Sequence, residues 1–274
     1  EDAAARLQLM RLHGRFGEME GVERLADEAL ARDPGDETTF LAKMAVANWR
    51  IQEASIFGKV DRAGEMVTLC DQRLTLNPDS SAALQCLAGF HSAMPETFGG
   101  DRAKGEQALQ RLQTADPAAY HLFLAIRAER EEQTDLVRTH LDQAMPLLRT
   151  PREALRIATL RIALGDGPGA HAALDKAFAL GWDDPILLFR RGEAAAVTGD
   201  RMAEGRQALL TLLAGSTWSS GTDHRPAAHW RLGMIAERQG DPVFAEAAYR
   251  RALTHDRGFD EAKKALKALK ERKP

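Results

Sequence analysis

The sequence predicts an all-α chain: a solenoid of about seven helix-turn-helix repeats finished by a C-terminal capping helix. Three observations carry that expectation. Alanine and leucine recur throughout, valine and isoleucine are sparse, and aromatics reach only 6%, which is a vocabulary of helix formers with few strand formers. Gly-Asp pairs stand at 165/166, 199/200 and 240/241, the first two 34 residues apart and the third 41 further on. Asp-Pro or Asn-Pro pairs stand at 33/34, 77/78, 116/117 and 184/185, where proline breaks the helical ladder of the preceding residues.

The repeats are read in order as one solenoid over residues 1–274. Residues 1–149 hold the divergent copies. Residues 3–34 turn at Gly17-Glu18 and end on Ala29-Leu30 and Asp33-Pro34. Residues 35–78 have a longer first helix. Residues 79–117 carry Leu87-Ala88 and a lengthened turn at 94–101, where Pro95 ends one helix, Gly99 and Gly100 reverse the chain and Asp101 caps the next. Residues 118–149 show Leu124-Ala125, then Leu141 and Ala144, with Glu132-Gln133 in place of Gly-Asp. From 150 to 259 the pattern sharpens. Residues 150–184 carry Gly165-Asp166, Ala170, Leu174 and Ala177-Phe178, and residues 185–215 carry Gly192, Gly199-Asp200, Ala208 and Leu212. A polar insertion at 216–226 accounts for the longer third spacing. Residues 228–256 are the clearest unit, with Leu232-Gly233, Gly240-Asp241, Ala245, Tyr249 and Ala252-Leu253. Small residues let antiparallel helices approach, glycine permits the left-handed turn, and aspartate caps the helix that follows. Residues 260–274 close the array: Ala262, Ala265, Leu266 and Leu269 form an apolar stripe backed by Lys263, Lys264, Lys267 and Lys270.

This pattern resembles the tetratricopeptide repeat (TPR), in which a Leu-Gly pair, a Gly-Asp turn and then Ala, an aromatic and Ala recur at helical spacing. Arg257 stands where that family usually ends on proline. The resemblance implies a right-handed superhelix whose concave groove binds peptides or proteins. The asparagine-and-lysine carboxylate clamp of chaperone-binding members is not recognisable. The turn Phe98-Gly99-Gly100-Asp101 is also similar to one in bacterial envelope TPR proteins, including the T component associated with TRAP-type transporters. That likeness motivates a periplasmic expectation over a cytoplasmic one, and an alternative function: a component of a solute-transport or envelope assembly holding a small ligand or a transporter partner.

Several chemistries find no support. Net charge of −3 and pI near 6.3 give no global field for nucleic acid. No apolar run approaches the roughly 20 residues of a membrane span. The chain opens on Glu1 rather than Met, from which removal of an upstream segment is expected. There is no Cys-x-x-Cys, His-Glu-x-x-His, Gly-x-Ser-x-Gly or phosphate loop, so neither an enzyme nor a cofactor is expected. The run Gly165–Gly169 reads as a repeat turn. His224 and His229, with Asp223, could chelate a metal, but eight scattered histidines read as surface or cap residues and no metal is expected. Cys70 and Cys86 lie eight residues either side of Pro78, which permits a disulfide between antiparallel helices; alternatively Cys86 points into the packing groove beside Leu87-Ala88.

The candidate binding surface comes from register. Arg156, Arg190 and Arg231 each sit nine residues before the glycine of a Gly-Asp turn, and each immediately precedes the packing pair. Leu155, Phe189 and Trp230 stand just before them. In the family these positions flank the groove, so a guanidinium ladder beside apolar surface is expected to capture a carboxylate-bearing protein or peptide. The alternative is that the arginines form internal salt bridges to Glu193 or Glu237.

Overall fold

The computed structural model describes residues 10, 13, 17–182, 184–215 and 224–271. Most of the first helix of the first repeat, and residues 216–223 of the expected insertion, lie outside the described residues. Among the described residues there are fourteen α-helices and no strand, so the chain is all-α as the sequence predicts. It divides into two compact units, residues 1–130 and 131–274, a boundary that falls inside the stretch 118–149 read from sequence as one repeat.

The first unit holds α1 (Met19–Arg32), α2 (Glu37–Glu53), α3 (Ile56–Leu76), α4 (Ser81–Ala93), α5 (Arg102–Ala115) and α6 (Pro117–Arg130), each packed on the next. Its main core gathers Phe40, Leu84, Leu87, Leu109 and Leu112 around alanines that let the helices close up. Arg73 of α3 is 3% exposed. It donates to the carbonyls of Pro34 and Gly35, both at 2.8 Å, and pairs with Glu37. The lengthened turn joins α4 to α5 through a short 3-10 segment, Glu96–Phe98. Pro95 O accepts from Phe98 N and Gly100 N, Gly99 adopts φ +86°, and Asp101 caps α5 by accepting from Lys104 N at 3.1 Å. A Cβ on Gly100 would lie 1.8 Å from the Met94 carbonyl oxygen, so only glycine fits there.

Cys70 and Cys86 share this core as free thiols. The Cys70 thiol is fully buried, donates to Met44 Sδ at 3.6 Å, and is held far above its ordinary pKa by the neighbouring Cys86 and by burial.

The second unit holds α7 (Thr134–Ala144), α8 (Pro151–Ala163), α9 (Gly167–Ala179), α10 (Pro185–Thr198), α11 (Met202–Ala214), α12 (Arg225–Arg238), α13 (Pro242–His255) and α14 (Asp260–Glu271). Three antiparallel pairs, α8/α9, α10/α11 and α12/α13, stack so that each first helix touches the next first helix. Gly165, Gly199 and Gly240 all take positive φ at the turns, and Glu132 does the same at φ +57° in the equivalent turn without a glycine. Asp166 and Asp241 cap α9 and α13 as the sequence predicts. Asp200 does not cap α11; Arg201 takes the cap position at φ +46°, and the Asp200 carbonyl instead accepts from His171 Nε2 at 3.3 Å. In α14, Ala262 and Leu269 are buried, with Leu269 packed on Ala236, Ala245 and Tyr249.

Gly100→Ala should lower the unfolding free energy of the first unit by about 2–4 kcal/mol, because the clash is with backbone that cannot step aside. Gly64→Ala, in the interior of α3 with nothing within 4 Å of its Cβ, should raise it by about 0.5–1 kcal/mol. Urea denaturation of the two variants against the parent measures both.

Candidate functional site

The three candidate arginines stand on the first helices of the second unit: Arg156 on α8, Arg190 on α10 and Arg231 on α12. Their shared register places them alike on three helices packed in succession. Their surroundings differ sharply. Arg156 is exposed and has no partner among the described residues. Arg190 pairs with Glu193 one turn further along α10, and its guanidinium lies 5.8 Å from the Phe189 ring. Arg231 reaches back to the same carboxylate, with its Nη2 2.8 Å from Glu193 Oε1. Its guanidinium covers the Trp230 ring at 4.1 Å and touches Met234 Sδ at 3.4 Å.

Glu193 is therefore shared by two arginines from successive repeats, and it is only 9% exposed. Burial pushes the Arg231 pKa down, while the Glu193 charge and hydrogen bond pull it up. Phe189 is buried in the core against Leu209, Leu232 and neighbours, so it enters the site as the support beneath Arg190. Trp230 is half-buried, with its ring edge-on to Phe259 at 5.7 Å. Glu237, the other carboxylate within reach in the sequence, accepts the Tyr249 hydroxyl. The register is visible in the sequence, and so is Glu193 as a partner within reach of Arg190; the sharing of one carboxylate by two repeats is not.

The histidines pair with other rings. His224 packs against Phe189 at 5.1 Å, while His229 stacks on His255 at 5.3 Å with 7° between their planes. Asp223 lies outside the described residues, and no group of three or more metal-ligating side chains occurs among those described. The first unit carries a separate cleft of about 240 Å³, lined by residues of α1, α2 and α3. Its cations are neutralised in place: Arg50 pairs with Glu23 at 2.5 Å, Arg62 with Glu65 at 2.7 Å, and Lys43 with Asp27.

Among solved structures the chain is similar to a chain of the APC/C hetero-tetramer Cut9–Hcn1, with a TM-score of 0.53 and 15% identity, covering 98% of this chain and 49% of that one. It spans about half the length of that chain. It is also similar to PilW, a widely conserved type IV pilus biogenesis factor, with a TM-score of 0.50 and 13% identity over 81% of this chain and 98% of that one. The fold is the tetratricopeptide-repeat fold. A tetratricopeptide repeat protein from Parabacteroides merdae aligns over 97% of this chain and 98% of its own, at a TM-score of 0.42 and 13% identity. No protein family and no curated protein matches the chain by sequence. At these identities the likeness is one of fold.

Glu193→Gln should destabilise the second unit by about 2–3 kcal/mol, because it leaves two desolvated guanidiniums without their counter-charge. Adding Arg231→Met should recover part of that loss, and the double-mutant cycle should show favourable Glu193–Arg231 coupling.

Stability should also fall on mild acidification. Burial, then the charges of His255 and Arg251, push the His229 pKa down to about 4, and burial likewise lowers that of His171. In the unfolded chain both rings titrate near 6.5. Below that pH the unfolded chain binds protons that the native state refuses, so the stability present above about pH 6.5 is progressively lost as pH falls toward 4. His229, being half-buried, should account for about 1 kcal/mol between pH 7 and pH 5, with His171 adding in the same direction. Urea titrations at the two pH values, repeated on His171→Asn/His229→Asn, should show the pH dependence flattened in the variant.

Proposed function

We propose that the protein is a non-enzymatic adaptor or scaffold, binding a protein or peptide partner across the first-helix face of the second unit. The observation that carries this reading is the placement of Arg156, Arg190 and Arg231 at one register on three successive first helices. Two of them are held rigid by a shared carboxylate and by the Phe189 and Trp230 rings. Arginine and tryptophan are the side chains that most often concentrate binding energy at interfaces, and a pre-ordered guanidinium loses little entropy on meeting a carboxylate. The fold adds support: stacked helix pairs expose a long continuous face that needs no reorganisation to accept an extended or helical segment.

A second reading, an envelope or solute-transport component in the periplasm, rests on the similarity of the turn Phe98–Asp101 to one in envelope TPR proteins; Phe98 there is exposed. Among the described residues no helix is long and apolar enough to cross a membrane. PilW, a neighbour in fold, is a pilus-biogenesis factor, a role consistent with an envelope setting.

Affinity capture with the wild-type chain should retain a partner that Arg156→Glu/Arg190→Glu/Arg231→Glu loses. Because the last two substitutions also remove the partners of Glu193, Arg156→Glu and Trp230→Ala are run alongside, with melting temperatures. Each should weaken capture several-fold. Arg156→Glu should leave the melt near wild type, while Trp230→Ala, which removes packing on Phe259 and on the Tyr249 core, should lower the melt but leave the chain folded at the temperature of the capture. Unchanged capture by both would rule out this face. Running the capture separately on periplasmic and cytoplasmic fractions distinguishes the two settings.

A further inference from the structure

Arginine in the second unit is usually committed to a partner within the fold. Arg161 lies between Asp142 and Asp166, at 2.6 and 2.5 Å, and Arg191 and Arg201 share Asp175. Arg238 donates to the carbonyls of Ala196 and Val197. Against that background three guanidiniums at the start of α8 stand out. Arg149, Arg152 and Arg156 are all exposed, and none of their guanidinium groups has a hydrogen-bond or ion-pair partner among the described residues.

This arrangement works against local stability. Arg152 and Arg156 are four residues apart on one helix face, where like charges repel by a few tenths of a kcal/mol. Arg149 and Arg152 flank a helix N-terminus, which favours anions over cations. The acid in that turn offers little relief: Glu153 Oε2 accepts from the backbone N–H groups of both Arg149 and Thr150 at 3.0 Å, completing the capping box. The patch is also continuous with the first-helix face. Arg156 shares its register with Arg190 on the adjoining helix α10. From Arg190 onward Glu193 offsets the positive charge. The face therefore has a polarity, with free cation on α8 and compensated cation with an aromatic ring on α10 and α12.

We propose that the α8 end of this face docks an acidic segment of a partner protein. Clustered Asp and Glu side chains would pair with Arg149, Arg152 and Arg156, while the less charged remainder of the segment runs over α10 and α12 toward Trp230. This inference rests on the partner-binding reading above and adds the chemistry of the segment and its direction. Guanidiniums one helical turn apart suit a run of carboxylates, because each can be engaged by a two-pronged pair. None of the three is needed for folding contacts, so their loss should leave the fold intact.

The test uses a fluorescein-labelled hexaglutamate peptide, with hexaglutamine and a single-stranded RNA hexamer as comparisons, measured by fluorescence anisotropy on the full chain. Hexaglutamate should bind with an affinity that falls as salt rises, and hexaglutamine should not bind. Arg149→Gln/Arg152→Gln/Arg156→Gln should weaken hexaglutamate binding at least tenfold, with a melt equal to or slightly above that of the wild type. The control Arg251→Gln/Arg257→Gln, exposed on and beyond α13, should leave it unaltered. Equal binding by the triple variant and the wild type would overturn the proposal. So would tighter binding of the RNA hexamer that is lost in the same variant, since the patch would then read polyphosphate. If partner capture falls with Arg156→Glu and Trp230→Ala while hexaglutamate ignores the triple variant, this inference fails and the partner-binding reading stands.

Discussion

The second unit depends on one steric constraint: its paired helices touch where a side chain is missing. A Cβ on Gly233 would lie 2.3 Å from the Tyr249 ring, one on Gly192 would lie 2.2 Å from Leu209, and one on Gly205 would lie 2.2 Å from the Ala195 Cβ. These distances leave no room for even a methyl group, so the partner residue sits directly on backbone. Such a contact fixes helix rotation as well as separation, because turning either helix brings a larger side chain into the gap. Once rotation is fixed, so is every outward position. The arginine that precedes Gly192 by two residues, and the one that precedes Gly233 by two, must then appear at matching places on the face.

Matching position does not bring matching environment, and the reason lies three residues further on. One helical turn after Arg156 stands Thr159, whose hydroxyl is already committed to the Leu155 carbonyl at 2.9 Å. After Arg190 stands Glu193, which pairs with it. After Arg231 stands Met234, whose thioether accepts a contact but supplies no charge, so Arg231 takes its counter-charge from Glu193 across the repeat boundary. One substitution pattern at i+3 thus turns a uniform ladder of cations into a graded surface.

The turns were legible because they are local. Gly-Asp reports a left-handed residue followed by a cap, and at 165/166 and 240/241 both parts hold. At 199/200 the glycine half holds, but Arg201 extends the turn by one residue and the cap is lost. The turn at Glu132 shows the converse, a left-handed residue without the glycine that usually advertises it. The face was partly legible. Its register followed from counting back from the turns, and Glu193 was within reach of Arg190 on the same helix. The Glu193–Arg231 pair, 38 residues apart, could not be read from sequence because it depends on how one repeat packs on the next. Nor could the burial of Phe189, which occupies the position of Trp230 in its own repeat yet sits in the core.

The wider use of arginine follows a rule of its own. Arg73 donates to the Pro34 carbonyl 39 residues upstream, Arg111 to the Pro78 carbonyl 33 upstream, and Arg238 to the Ala196 carbonyl 42 upstream. These separations are all close to one repeat. Arg73 and Arg111 meet carbonyls of the turns between helices, at Pro34, Gly35 and Pro78, and Arg238 meets those of the last turn of α10, where the intrahelical donors run out. The device ties successive repeats together without needing an acid, which is how Arg73 is accommodated at 3% exposure with a single carboxylate nearby. It also sets the standard by which other arginines are judged. A guanidinium at repeat spacing from the carbonyls of a turn or a helix's last turn is a stitch in the solenoid, and one beside an acid is part of an ion pair. Arg149, Arg152 and Arg156 meet neither description, so their presence at the start of α8 cannot be accounted for by the contacts that build the fold.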